Sequence, residues 1–95
     1  MSDTTLKDNN GAQRYELIAE GKMVGFAQYM PAGDAITITH TEIAPEHGGK
    51  GYGSALAKLA LDRIREERKR VIPACGFIAD YIGKHQEYAD LVAAS

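Results

Sequence analysis

The amino-acid sequence predicts an α+β domain: a mostly antiparallel sheet of about four strands, one long helix behind a Gly-rich loop, and short C-terminal helices. Three observations predict it. Residues 14–43 hold three runs of strand-forming residues separated by turn chemistry. Gly48, Gly49, Gly51 and Gly53 then place four glycines within six residues. From Ser54 to Ile72 there is neither Gly nor Pro, and apolar residues recur at helical spacing.

In chain order, residues 1–13 are polar, contain the breaker Asn9-Asn10-Gly11, and are expected to be a flexible N-terminal segment. Residues 14–95 are expected to form a single domain. Tyr15, Leu17 and Ala19 alternate with Glu16 and Ile18, as a half-buried strand does. Glu20-Gly21 supplies a tight turn into the strand formers of Met23 to Met30. Pro31 to Asp34 is a second turn, and Ala35 to Ile43 a third strand. Simple alternation there puts Ile36, Ile38, His40 and Glu42 on one face, with Thr37, Thr39, Thr41 and Ile43 on the other. Strands joined by such short turns pair antiparallel with their neighbours.

The helix is expected from Tyr52 or Gly53 to about Lys69. Leu56, Leu59, Ala60 and Ile64 form its apolar stripe, widened by Ala57 and Leu61. Arg65, Arg68 and Lys69 place positive charge at the negative end of the helix dipole. Arg70 to Cys75 reads as a fourth strand whose Pro73 suits an edge or a break in pairing. Two short helical segments follow, with Gly83 expected between them.

Composition removes several classes of function. Ninety-five residues make one domain with one modest core. A formal net charge of -2 gives no basic bias toward nucleic acid or an anionic membrane. The cluster from Arg63 to Arg70 is interleaved with Glu66 and Glu67, so it reads as a solvated helix face. No apolar run is long enough for a transmembrane helix, and the first ten residues lack a signal peptide's apolar segment, so a cytoplasmic location is expected. With Cys75 the only cysteine, and His40, His47 and His85 at no recurrent ligand spacing, no disulfide or metal site is expected.

The glycine cluster has a specific physical use. The first N–H groups of a helix have no carbonyl partner within it and lie at the positive end of the dipole. Glycines there let a phosphate approach those donors and let the chain adopt positive φ. The loop is therefore a candidate pyrophosphate cradle made by Gly48, Gly49, Lys50, Gly51, Tyr52, Gly53 and Ser54, with Lys50 adding a charge. The plainer alternative is a tight strand-to-helix connection. The spacing fits neither a P-loop nor a dinucleotide-binding fingerprint.

The stretches HTEIAPEHGGKGYGSALAKLALD and VIPACGFIADYIGKHQEYADLV resemble the minimal single-domain branch of the GNAT-superfamily N-acetyltransferases over roughly Tyr15 to Val92. That superfamily's loop reads Q/R-x-x-G-x-G/A. Gly51 and Gly53 match its glycines, while Gly48 stands where Gln or Arg is usual. His40-Thr41-Glu42-Ile43, Pro73-Ala74-Cys75-Gly76-Phe77 and Tyr81-Ile82…Lys84-His85-Gln86-Glu87-Tyr88 match the branch's other segments, with Gln86 in place of a usual Pro. The resemblance implies a GNAT-like fold and acetyl-CoA (coenzyme A) as the acyl donor to an amine acceptor. It implies that Ile43, ending the strand before the loop, presents an N–H to the thioester carbonyl. The chain, like the branch, lacks two helices that wall the substrate site in larger members.

Acetyl transfer requires a neutral amine, a donor for the tetrahedral oxyanion and a proton for the leaving thiolate. Cys75, at a strand end before helical turns, is the candidate covalent nucleophile; its alternative is a small buried hydrophobe. His40 and Glu42 are the candidate bases, against a role in fold-internal hydrogen bonds. Tyr81 can in principle protonate the thiolate but reads better as a core aromatic. His85 and Tyr88 read as structural, and His47 as solvent-facing or beside a phosphate. The expected protein is an N-acetyltransferase, a monomer or weak dimer. The alternative is a non-catalytic acyl-CoA-binding or protein-interaction module, favoured by the missing wall helices and by Gly48.

Overall fold

The computed structural model describes residues 4–49 and 51–93. Its elements run β1 (Thr4–Asn9), β2 (Arg14–Ala19), β3 (Lys22–Ala32), β4 (Ala35–Ile43), a 3-10 turn (Pro45–His47), α1 (Tyr52–Glu66), β5 (Arg70–Pro73), α2 (Gly76–Lys84) and a 3-10 segment (Gln86–Leu91). The five strands form one sheet in the order β1-β2-β3-β4-β5. The first three pairings are antiparallel and the β4–β5 pairing is parallel, with α1 as the crossover.

The strand count corrects the expected four. The fifth strand is β1, within the segment whose polar composition suggested a flexible tail. Its pairing with β2, from Thr4↔Ala19 to Asn9↔Arg14, satisfies the backbone of an edge strand with few apolar side chains. A second correction concerns α1, which stops at Glu66, three residues before the expected Lys69. Arg68 takes φ 59, its N–H bonds to Arg65 O at 3.0 Å, and the Lys69 N–H bonds to Ile64 O at 3.1 Å. This is a Schellman cap built without glycine, so no residue type announced it. A third concerns Gly83, which lies inside α2. The break falls at His85, with φ −132 and ψ 81.

One face of the sheet carries the core. Leu17, Ile38, Leu56, Leu61, Ile64 and Ile78 are fully buried there, and α1, α2 and the last 3-10 segment contribute to the same cluster. The opposite face carries no helix among the described residues.

A fourth correction matters most for function. The pairing runs Gln28↔His40 and then Tyr29↔Ile38, so Thr39 is an extra residue in β4. Such a bulge shifts the alternation by one position. Ile36 and Ile38 face the core on one side of it, and Thr41 and Ile43 on the other. His40 and Glu42 are thereby turned to the open face, not kept on the face of Ile36 and Ile38 as simple alternation predicts.

Candidate active site

The site lies where the two parallel strands part. β5 pairs with β4 only from Ala35↔Arg70 to Ile38↔Pro73. Pro73 has no N–H to continue the ladder, and the chain turns into α2. Residues 39–43 of β4 therefore run on without β5 beside them. A cavity of about 260 Å³ opens there, lined by Thr41, Glu42, Ile43, Gly53, Leu56 and Phe77.

The glycine loop closes one end of this notch. Gly49 (φ 78) and Gly51 (φ 79) both adopt left-handed backbone. The first intrahelical donor is Ala55 N–H to Gly51 O at 3.1 Å. The N–H groups of Tyr52, Gly53 and Ser54 precede it and have no carbonyl within the helix. Gly51, the N-cap, supplies no side-chain bond, and the first turn holds no acidic residue. This helix start is open to an anion.

Two loop positions behave differently from expectation. The Gly48 N–H bonds to Pro45 O at 3.2 Å, so that donor is engaged within the loop. A Cβ at Gly53 would stand 3.0 Å from the Phe77 ring, so this glycine makes room for Phe77 at the notch, not only for a phosphate. Lys50 lies outside the described residues.

Ile43 ends β4 opposite Gly25. A Cβ on Gly25 would lie 2.7 Å from the Glu42 carbonyl oxygen and closer still to Ile43 Cδ1. Gly25 thus allows the close approach that seats the end of β4. The Ala44 N–H, bonded to Val24 O at 2.9 Å, anchors the next residue.

Cys75 precedes α2 as its N-cap residue, with extended backbone. Its Sγ lies 3.4 Å from Thr41 Oγ1 across the notch. Burial alone would raise the thiol pKa. The Thr41 hydroxyl and the amides of Ile78 and Phe77 at the start of α2 outweigh it, and hold the thiol below its ordinary value. Cys75 adjoins the cavity through Thr41 and Phe77. Thr41 was not singled out from the sequence, because simple alternation gave it the wrong face.

His40 and Glu42 face the open side. His40 Nε2 lies 3.2 Å from Glu42 Oε1, and both side chains are more than half exposed. Glu42 also lines the notch, whereas His40 packs toward Phe26, with ring centroids 6.1 Å apart. The three expected catalytic residues are therefore split. Cys75 sits with Thr41 on the helix-covered face, His40 sits on the open face, and Glu42 borders both.

Tyr81 is a core aromatic, stacked on His85 at 3.9 Å and absent from the notch lining. Tyr88 donates its hydroxyl to Asp62 Oδ1 at 2.7 Å and ties the C-terminal segment to α1. His47 is half-buried against Tyr52, at 5.9 Å edge to face, and its Nδ1 has no partner among the described residues. It is less open to solvent than its place in the loop suggested. Among the described residues no three His, Cys, Asp or Glu side chains group as metal ligands, and no helix is long and apolar enough to cross a membrane.

Comparison with known proteins agrees with this geometry. Residues 14–91 match the family model of the GCN5-related N-acetyltransferases. A GCN5-like protein from Staphylococcus aureus, named as a candidate N-acetyltransferase, superposes with a TM-score of 0.70 at 26% identity, over 100% of this chain and 93% of that one. The ribosomal-protein-S18-alanine N-acetyltransferase of Escherichia coli shares the fold, with a TM-score of 0.60 at 21% identity over 77% of this chain. The ribosomal-protein-alanine N-acetyltransferase of Brucella melitensis biovar Abortus 2308 does so at 0.51 and 21%, over 86% of this chain. The chain spans 50% and 62% of those two proteins. No curated protein sequence matches it. The parted strands, the uncapped glycine-led helix and the family match over residues 14–91 place this chain in the GCN5-related N-acetyltransferase family.

Proposed function

We propose that this protein binds acetyl-CoA in the β4–β5 notch and transfers the acetyl group to an amine. The observation that carries the reading is the notch itself: an open strand edge, Thr41 to Ile43, ending beside an uncapped helix start. The residues present fit the donor. The free N–H groups of Tyr52, Gly53 and Ser54, with the left-handed Gly49 and Gly51, suit a pyrophosphate. Leu56 and Phe77 suit the apolar arm, and the backbone at Ile43 suits the thioester oxygen.

Cys75 is the proposed carrier of the acetyl group. Its thiolate, favoured by Thr41 and the α2 amides, attacks the thioester carbonyl and forms the new S–C bond. The C–S bond to coenzyme A breaks, and CoA leaves as its thiolate. The amine then attacks S-acetyl-Cys75, the amide forms, and the Cys75 thiolate returns. Glu42, bordering both notch and open face, takes the amine proton, which passes through solvent to the CoA thiolate. His40, paired with Glu42, orients that carboxylate.

The test is Cys75→Ala. Acetyl transfer is expected to vanish while acetyl-CoA binding, measured by calorimetry with desulfo-CoA as control, stays within about twofold. Unchanged turnover overturns the covalent route and leaves direct attack. A second reading, CoA binding without catalysis, is favoured by the open face, where no helix among the described residues walls an acceptor. It predicts saturable binding and no acetylated product from any amine panel. Product above the uncatalysed background excludes it.

A further inference from the structure

The far end of the sheet holds a second cavity, of about 300 Å³, between the β1–β2 turn, the β3–β4 turn and the end of α1. Ile36 lines it, five residues and roughly 16 Å back along β4 from Thr41. It is separate from the acetyl-CoA notch, and nothing in the proposed reaction uses it.

Its charged groups are two carboxylates and one ammonium, and Asn10, Gln13, Tyr15 and Tyr29 can each donate or accept. Asp8 and Glu67 contribute carboxylates, and Tyr15 and Tyr29 contribute rings and hydroxyls. The two rings pack 4.5 Å apart, centroid to centroid. Tyr29 is satisfied: its hydroxyl donates to Asp8 Oδ1. Asn10 Oδ1 lies 2.9 Å from the same hydroxyl oxygen. Tyr15 is not satisfied. It is 1% exposed and lines the cavity, yet its hydroxyl has no hydrogen-bond partner among the described residues. Asp8 stands opposite Tyr15 in the β1–β2 pairing and Glu67 lines the same cavity; burial first, then the fields of Asp8 and Glu67, raise the Tyr15 pKa against the field of Arg63. The hydroxyl opens onto the cavity, where a ligand can bond it.

The charge balance selects the ligand. Two carboxylates face one cation, Lys69, whose Nζ is 3.8 Å from Glu67 Oε1, beyond hydrogen-bond range. The set lacks a third acidic, His or Cys ligand for a metal ion. Pro31 and Ile36 give the cavity an apolar wall beside the tyrosine rings. We propose that this cavity binds a primary ammonium group carried on an aliphatic stem. The ammonium donates to Glu67, Asp8 and the Tyr15 oxygen, and the stem lies against Pro31 and Ile36. Such a group comes either from a small alkylamine or from a lysine side chain of another protein.

Backbone amide shifts of the full chain, recorded by NMR during titration with n-butylammonium chloride, test the proposal, with sodium chloride at equal ionic strength as control. Saturable shifts are expected at Asp8, Tyr15 and Glu67. Tyr15→Phe and Glu67→Gln are each expected to weaken binding about tenfold. Tyr15→Phe removes a hydroxyl that bonds nothing, so its melting temperature should not fall and lost binding is not lost folding. Acetyl-CoA affinity should stay the same in both variants, which keeps this test independent of the acyl-transfer reading. A parallel titration with a lysine-containing peptide identifies the source: tighter binding than n-butylammonium points to a protein ligand, weaker binding to a free amine. No saturable shift with either probe, or equal affinity in both variants, overturns the proposal.

Discussion

The two ends of the sheet solve opposite problems. At the turn end the backbone is closed: Arg68 caps α1, the Arg70 N–H bonds to Asp34 O at 2.8 Å, and β5 pairs fully with the start of β4. What is left over there is side chain, chiefly carboxylates and one tyrosine hydroxyl. At the loop end the backbone is left open, with an uncapped helix start and a strand that has lost its neighbour. The surplus at one end accepts hydrogen bonds and suits a cation, and the surplus at the other donates them and suits an anion. Strand β4 joins the two, buried at Ile36 and Ile38 and half-open from Thr39 onward.

Breaking the strand in its closed half should cost most. Ile38 is fully buried, and Ile38→Ala is expected to lose about 2–5 kcal/mol in urea unfolding. Thr41→Val, in the open half, should cost under about 1 kcal/mol. It should instead raise the pH midpoint of Cys75 alkylation, because it removes a group that favours the thiolate. Equal stability losses would mean that the two halves do not differ.

Gly25→Ala comes next. The added Cβ meets the backbone at Glu42, so about 1–3 kcal/mol should be lost. Amide shift changes should concentrate at residues 42–44 and leave the far cavity untouched. Changes spread over both ends would show that β4 transmits strain along its length.

A smaller effect depends on pH. Glu16 is held below its ordinary pKa by hydrogen bonds from Asn9 and Arg14, against the effect of burial. Asp62 feels burial as an upward push, but Tyr88 and Lys58 outweigh it and leave the pKa lowered. A lowered folded pKa gives stability that is full above the unfolded value, near ~4 for carboxylates, and is lost as pH falls through the folded one. Thermal scans should therefore show stability falling below about pH 4, with a flatter acid limb in Asp62→Asn. An unchanged limb would remove Asp62 from the account.

The smallest change should be a gain. Arg68→Gly relieves left-handed strain at the α1 cap and should stabilise by about 0.5–1 kcal/mol, after the added chain entropy of glycine is offset. A loss would show that the arginine side chain contributes more than its backbone costs.

Much of this was legible from residue order. The α1 stripe appeared as expected, with Leu56, Ala57, Ala60, Leu61 and Ile64 buried and Leu59 at the margin. The Glu20-Gly21 turn formed with both residues at positive φ. The glycine cluster announced the helix start. Less legible was the division of labour within it, where Gly48 closes a turn, Gly53 admits Phe77, and Gly49 and Gly51 supply left-handed backbone.

Local chemistry determined the order and type of the later elements, because helical periodicity, turn residues and glycine φ are properties of a few neighbouring residues. Tertiary structure alone decided strand β1, the bulge at Thr39 and the faces of Thr41, His40 and Glu42. A bulge exists only relative to a partner strand, and a polar edge strand gains its hydrogen bonds only by pairing. For the same reason, neither the meeting of Thr41 with Cys75 nor the cavity around Tyr15 can be read from residues taken in order.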